Sequence, residues 1–345
     1  MVDGSGLASW EEYKNAARSN RGTPLGARQR LIIWKIFEQF QRAMQREGLS
    51  TWDSLCREAA QGLDLSPYTH VIADEAQDFG PAEFRLLRAL VPNTKNDLML
   101  CGDSGQRIYK ARASLLSCGI DVRGRSSSLK INYRTSQQIR QYADGLFAAG
   151  EVDADGESIA REAVSVLNGP NPKVSVCLNA EDEIAELADW LQVLNGEGIQ
   201  AKEIAIFART ESVLTQRGML AAVGAGLKAF HLSDDSDGDG GIALGTMHRA
   251  KGLEFKAVAV IGCDQDLLPL KPVAEAITDP ADRSAFGKQE RNLLYVAMTR
   301  AREHLFVSCA GSPSQFLDQV HASTLKLMTR VGGRKKFRDE TAKIG

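Results

Sequence analysis

His70-Val71-Ile72-Ala73-Asp74-Glu75-Ala76-Gln77-Asp78 decides how the chain is built. A short apolar run rich in β-branched residues reads as a buried strand, and it breaks off at two adjacent carboxylates. The pattern returns at Asp97-Leu98-Met99-Leu100-Cys101, which ends in Gly102-Asp103. Between the two runs, Pro81 to Val91 carries Phe84, Leu87 and Leu90 at helical spacing. Strand, helix and strand in that order predict a parallel α/β sheet. Such sheets place their ligands beyond the carboxyl ends of the strands, where Asp74-Glu75 and Gly102-Asp103 fall.

The same texture extends outward. Ser128-Leu129-Lys130-Ile131 is a third run, ending in Asn132-Tyr133-Arg134 and followed by a helical stretch from Ser136 to Phe147. Further strands are predicted at Lys173 to Leu178, Glu203 to Ala208, Ile242 to Thr246, Ala257 to Ile261 and Leu305 to Ser308, with helices over Glu181 to Leu194 and Glu290 to Arg302. The unbroken apolar runs at 242–246 and 257–261 are of the kind buried on both faces of a parallel sheet. Upstream, Arg28 to Arg46 places Leu31, Ile32, Ile36, Phe37, Phe40 and Met44 at helical spacing. Gly48 stops that helix, and Ser50-Thr51 cap a second one through Leu55 and Ala59. Glu151 to Arg161 is an acidic surface excursion, and a domain boundary is expected near residue 126.

At 345 residues the chain exceeds one ordinary domain, and 43% hydrophobic with 25% charged residues supplies real cores, which excludes a largely disordered protein. Lys+Arg 42 against Asp+Glu 44 leaves a net charge of −2, so any polyanion site is a local patch. One such patch lies between Ser104 and Tyr142, where Arg107, Lys110, Arg112, Arg123, Arg125, Lys130, Arg134 and Arg140 meet Asp121 alone. A second basic run, Arg334 to Arg338, reads equally as a solvated face. No apolar run reaches the ~18 residues of a membrane span, and Met1 to Trp10 has no secretory pattern, so a cytoplasmic location without membrane partners is expected. The 6 cysteines are scattered without a C-x-x-C pair, which predicts buried reduced thiols.

Several polar residues suit phosphate chemistry. Asp74-Glu75 after a strand has the form of a carboxylate pair that holds Mg²⁺ and activates water, although alone it is also a solvated acidic turn. Asp103 and Gln106 could add a second polar tier. Tyr133 offers an aromatic face to a base, and Arg134 a guanidinium to a terminal phosphate. Arg300 and Arg302, on the late helix, are either further phosphate contacts or solvated charges. Two look-alikes are set aside by context. Gly102-Asp103-Ser104-Gly105 echoes a serine-protease segment in the wrong fold class. Asp235-x-Asp237-x-Asp239-Gly240 begins like a calcium loop but has Thr246 at the twelfth position.

Taken in series, these segments resemble the UvrD/Rep type of superfamily 1 helicases. Asp74 to Asp78 is similar to motif II, Gly102 to Tyr109 to motif III, and Asn132 to Ser136 to motif IV. Thr246-Met247-His248-Arg249-Ala250-Lys251-Gly252-Leu253-Glu254-Phe255 resembles motif V, and Tyr295 to Arg302 resembles motif VI. The resemblance implies an ATP-dependent DNA translocase of α/β class, with two RecA-like parallel sheets flanked by helices, the first incomplete. It implies that Asp74 and Glu75 hold Mg²⁺, with Glu75 as the catalytic base, and that Gln106 couples the γ-phosphate to DNA. Tyr133 would stack on adenine, Glu254 would meet the ribose, and Arg134 and Arg300 would be paired arginine fingers. Thr246 and His248 would lie near the DNA backbone, with Arg107, Lys110 and Arg112 along the track. The expected organisation is a helical remnant of a 1B-like insertion at 1–65, the C-terminal half of the first RecA-like domain at 66–126, and the second at 127–345. Single-stranded and partly duplex DNA are the expected partners.

The sequence departs from that family in three places. No G-x-x-x-x-G-K-[ST] occurs, since Gly22 to Gly26 lacks the lysine and Gly287-Lys288 lacks the preceding frame. A missing N-terminal segment carrying Walker A is therefore expected as a partner, and the chain alone is expected to be inactive. Lys110-Ala111-Arg112 follows Tyr109 where the family offers a base-stacking tryptophan. The stretch between Ser136 and Thr246 is too short for a large 2B insertion. The alternative is a paralogue without the phosphate loop that binds nucleic acid or acts as a scaffold. Glu75, Gln106, Arg134 and Arg300 together argue against it.

Overall fold

The computed structural model describes residues 9–15, 25–103, 115–147, 164–232 and 240–317. These divide into two units. One holds the described residues up to Ser128 together with Pro272–Asn292, and the other holds those from Leu129 to Lys271 and from Leu293 onward.

In the first unit, α1 (Trp10–Asn15) packs on α2 (Ala27–Arg46). Tyr13 stacks on Trp34 at 5.7 Å between ring centroids, and Trp34 meets Phe37 at 5.5 Å. The expected α2 stripe is thus corrected. Phe37 is buried with Trp34, but Leu31, Ile32, Ile36 and Phe40 are exposed, because α1 covers the neighbouring face. Thr51 caps α3 (Trp52–Gln61), its hydroxyl accepting from the Ser54 N–H at 3.0 Å. Then come β1 (Val71–Ala73), α4 (Pro81–Leu90) and β2 (Leu98–Leu100). The two strands pair in parallel, Val71 with Leu98, Ile72 with Met99 and Ala73 with Leu100. Phe84 of α4, Ala76, Leu98 and Leu100 form the core on one face, while Ile72 and Met99, paired on the other, are exposed. Arg88 ties the end of α4 to the start of β2: it pairs with Asp97 and donates to Val91 O at 3.1 Å and Pro92 O at 2.9 Å. That guanidinium, helped by the Thr94 N–H, holds the Asp97 carboxyl below the usual carboxylate range.

The second unit opens with β3 (Ile131–Asn132), α5 (Gln137–Asp144) and β4 (Val164–Ser165), the two strands forming a small parallel sheet of their own. Its main sheet uses β5 (Lys173–Cys177), α6 (Ala180–Gly196), β6 (Ile204–Ala208), α7 (Glu211–Val213), α8 (Met219–Gly224), β7 (Ala229–His231), β8 (Ile242–Thr246) and β9 (Phe255–Val260). After α9 (Lys271–Ala276) and α10 (Pro280–Met298), β10 (Ala301–Ala310) completes it. The strand order is β5-β10-β9-β6-β8-β7, and every pairing is parallel. All of β6 is buried, which is why its sequence is a continuous apolar run. Leu187, Leu191 and Leu194 of α6 pack on Ile204, Ile206 and Phe306.

Two expectations change here. Arg300 and Arg302 are not helical: α10 ends at Met298, and β10 starts at Ala301, before the expected Leu305. The helical ladder runs as far as the Thr299 N–H on Tyr295 O at 3.0 Å, and the Arg300 N–H then turns to Ala297 O at 3.3 Å, leaving Val296 O to a side chain. Thr299 Oγ1 donates to Tyr295 O at 2.9 Å, and Arg300 Nε donates to Val296 O at 3.0 Å. The edge strand β7 is an addition to the strands that the sequence predicts.

Where β9 and β10 end, a buried charge network closes the sheet. Glu183 of α6, fully buried, accepts from Arg217 Nη1 at 2.7 Å, Gly262 N at 2.9 Å and Ser308 Oγ at 2.7 Å. Arg217 Nη1 also reaches Asp264 at 2.9 Å, and Asp264 accepts from Ala310 N at 2.7 Å. Burial works against the Arg217 charge, but the two carboxylates outweigh it and hold its proton more tightly than usual. All six cysteines are free thiols. Burial pushes Cys177 up to about 11 and Cys309 up to about 12, so both are inert.

Candidate functional site

The first unit builds its part of the site at the carboxyl ends of β1 and β2. Ala73 O accepts from Cys101 N, and Cys101 O from Ala76 N, both at 2.8 Å, so the two strand ends stay locked as the chain turns away. Asp74 and Glu75 are exposed at that end. Asp74 Oδ1 accepts from Glu75 N at 2.8 Å, and Glu75 sits in the left-handed region at φ 52°, a conformation uncommon for a residue with a side chain. Its carboxylate accepts from the Gln77 side-chain amide. The Gln77 carbonyl in turn accepts from Asp103 N at 3.0 Å. Gln77, 5% exposed, therefore bridges the carboxylate pair to the turn after β2. The bridge requires glycine at 102, since a Cβ there would stand 2.6 Å from Gln77 Oε1. Gln77 is absent from the residues that the sequence singles out, because an amide between two acidic residues carries no chemical signal of its own.

The second unit gathers Arg134, Glu254 and Arg300 where β9 and β10 begin. Asn132 Oδ1 accepts from the backbone N–H of Arg134 at 2.8 Å and of Thr135 at 3.2 Å, fixing the turn after β3. Arg134 Nε lies 2.8 Å from Glu254 Oε2, an ion pair off the axis of a good hydrogen bond, and its Nη2 donates to Leu253 O at 3.0 Å. Arg300 Nη1 reaches the same oxygen at 3.5 Å, and its Nη2 reaches Thr299 Oγ1 at 3.3 Å. Arg300 is 2% exposed; the Arg134 side chain is 39% exposed. Tyr133 is 70% exposed beside them.

Thr246 and His248 lie at the opposite edge of the sheet. Thr246 ends β8, and His248 sits in the short helical turn Met247–Ala250, both half-buried. The expectation that functional groups gather at carboxyl strand ends holds for Asp74, Glu75 and Thr246. Arg134 likewise follows the carboxyl end of β3, as expected, yet its side chain meets Glu254 and the Arg300 acceptor at the amino ends of β9 and β10, because the Ser136 N–H bonds Arg302 O at 2.9 Å and draws the turn after β3 to that edge. Gln106, Arg107, Lys110 and Arg112 lie outside the described residues. Among the described residues no cluster of three or more His, Cys, Asp or Glu could hold a metal, and no helix is long and apolar enough to cross a membrane.

Residues 9–118 match the model of the UvrD/REP helicase N-terminal domain, and residues 225–312 that of the UvrD-like helicase C-terminal domain, together more than half of the chain. The "ATP-dependent DNA helicase UvrD2" of Mycobacterium tuberculosis is 23% identical, over 91% of this chain and 60% of its own length. A Mycoplasma pneumoniae protein described as "Probable DNA helicase" is 27% identical, over 74% of this chain and 48% of its own. Staphylococcus aureus "ATP-dependent DNA helicase PcrA" is 36% identical over a shorter stretch, 27% of this chain and 14% of its own. The chain therefore spans less than two thirds of each of these relatives.

Proposed function

We propose that this chain, which belongs to the UvrD/Rep-type helicase family, carries most of the ATP-hydrolysing and strand-gripping parts of a DNA translocase and helicase that works in the cytoplasm. The observation that carries the reading is that one chain holds both an exposed Asp74-Glu75 at the end of β1 and, in its second unit, Arg134 and Arg300 gathered around Leu253. We assign 1–65 to a remnant of a 1B-like insertion, 66–126 to the first RecA-like domain and 127–345 to the second.

The donor set fits a hard cation. Asp74 and Glu75 present two adjacent exposed carboxylates, oxygen ligands of the kind Mg²⁺ takes alongside water and nucleotide phosphates. Mg²⁺, when bound, neutralises charge on the transferred phosphoryl group. Glu75, oriented by the Gln77 amide, takes the proton of the attacking water. Arg134 and Arg300 stabilise charge on the phosphoryl oxygens, Tyr133 stacks on the adenine, and Glu254 meets the ribose. Gln106 senses the γ-phosphate. Thr246 and His248, with Arg107, Lys110 and Arg112, contact the backbone of single-stranded and partly duplex DNA. The backbone cradle and lysine for the β-phosphate come from a Walker A segment outside these residues.

The test is ATP hydrolysis with and without single-stranded DNA. Positioning is most of phosphoryl-transfer catalysis, so the 345-residue chain alone should read as background. Joining it to a Walker A segment of a relative should restore DNA-stimulated turnover that Glu75→Gln abolishes. Turnover by the chain alone that Glu75→Gln removes would show that it already holds a phosphate cradle.

A further inference from the structure

Arg134 and Arg300 share an acceptor but not a situation. Arg300 is enclosed, and its guanidinium reaches Val296 O at 3.0 Å, Thr299 Oγ1 at 3.3 Å and Leu253 O at 3.5 Å. Arg134 is partly open to solvent, and it pairs with the charged Glu254, at 2.8 Å in an off-axis contact. Asn132 Oδ1 accepts from its backbone N–H at 2.8 Å, which favours a swing of the Arg134 side chain over a shift of its backbone. A half-exposed ion pair of this kind is weak and easily exchanged, whereas a polyphosphate offers a guanidinium two aligned oxygens and more charge.

We propose that the Leu253 carbonyl and the Glu254 carboxylate form a resting dock for Arg134, and that the phosphates of a bound nucleotide compete with Glu254 and empty it. The proposal rests on the nucleotide reading above and makes Glu254 a positioning residue for Arg134 before it meets any ribose. When the dock empties, Leu253 O keeps only the longer Arg300 contact of the two. Gly252, at φ 79°, sits just before it and leads back through 247–251 to Thr246 and His248. Phosphate binding at one edge of the sheet thereby loosens the segment that ends at the other.

The test uses the full chain and inorganic tripolyphosphate as the probe, titrated by calorimetry into wild type, Glu254→Gln, Arg134→Gln and the double variant. Thermal melts check that each variant folds. Glu254→Gln should tighten binding about 2- to 5-fold, the range that a half-exposed pair supports. Arg134→Gln should weaken it, and in the Arg134→Gln background the Glu254 substitution should change nothing, a non-additivity that a general loosening of the fold does not produce. If Arg134→Gln weakens binding but Glu254→Gln leaves it unchanged or weakens it, the dock is overturned while the nucleotide reading stands. If neither substitution changes binding, or no form of the chain binds saturably at millimolar probe, the dock is overturned; the nucleotide reading, which draws its β-phosphate cradle from outside these residues, is judged separately by the hydrolysis test above.

Discussion

The Gln77 side-chain amide occupies the space where a side chain on residue 102 would stand: a Cβ on Gly102 would lie 2.6 Å from Gln77 Oε1 and 3.1 Å from Gln77 N. Gly102→Ala must therefore push the amide out of place, breaking the Gln77 contacts to Asp103 N and to the Glu75 carboxylate. The expected cost is about 1–3 kcal/mol of stability, read from urea unfolding of the chain. An unchanged unfolding midpoint would mean that Gln77 does not form this bridge in solution.

Arg217 stands between Glu183 and Asp264, and Glu183 is completely enclosed. Arg217→Ala leaves that carboxylate buried without its cation, which should cost about 3–5 kcal/mol. Substituting Glu183→Gln in the Arg217→Ala background should recover part of that cost, since the stranded charge is then gone. A denaturant midpoint that hardly moves in Arg217→Ala would show the network to be solvated.

Asp97 gives a pH signature. The Arg88 hydrogen bond, with that of the Thr94 N–H, depresses its folded pKa below the ordinary aspartate value. The stabilisation is therefore present at pH values above that ordinary value and disappears as pH falls through the folded one. Asp97→Asn should destabilise the chain at about pH 7, with the deficit shrinking below about pH 3 as the wild-type carboxyl takes up its proton. A deficit that stays constant with pH would assign the effect to packing instead of charge.

For nucleic acid, weak and strongly salt-dependent binding to single-stranded DNA is expected of the isolated chain. Replacing Arg107, Lys110 and Arg112 by glutamine should lower the salt slope by about one for each phosphate that the variant no longer neutralises, on every sequence tested. Fluorescence anisotropy across a series of salt concentrations measures this, and an unchanged slope would place the track elsewhere.

The strands announced themselves because β6, β8 and β9 are buried on both faces and need continuous apolar runs. The Asp74-Glu75 break was equally legible, since charge cannot continue such a run. What stayed hidden depends on contacts between distant segments. The apolar side of α2 could be read, but whether α1 would cover Leu31 or Trp34 could not. β7 has only three residues, Ala229 to His231, too few to show a period. The helical spacing of 290–302 concealed the stop at Met298, because the ladder breaks only where the Arg300 side chain, in place of its N–H, reaches Val296 O. The meeting of Arg134, Glu254 and Arg300 hung on the Ser136 to Arg302 hydrogen bond, which no local pattern encodes.

β10 is inspected at both of its ends. It leaves Arg300 beside Leu253, and it arrives with the Ser308 hydroxyl on Glu183 and the Ala310 N–H on Asp264. A slip of one residue would turn Ser308 to the opposite face and present Val307 or Cys309 to a buried carboxylate. At the other end the alignment is held separately, since the register against β9 shifts by one residue between Ala301 and His304. A strand inserted between two parallel neighbours late in the chain is exposed to such errors, and here each end of the strand carries its own polar contacts against them. The polar contacts at its two ends thus favour one alignment of β10 in the finished sheet, quite apart from any chemistry at the strand's amino end.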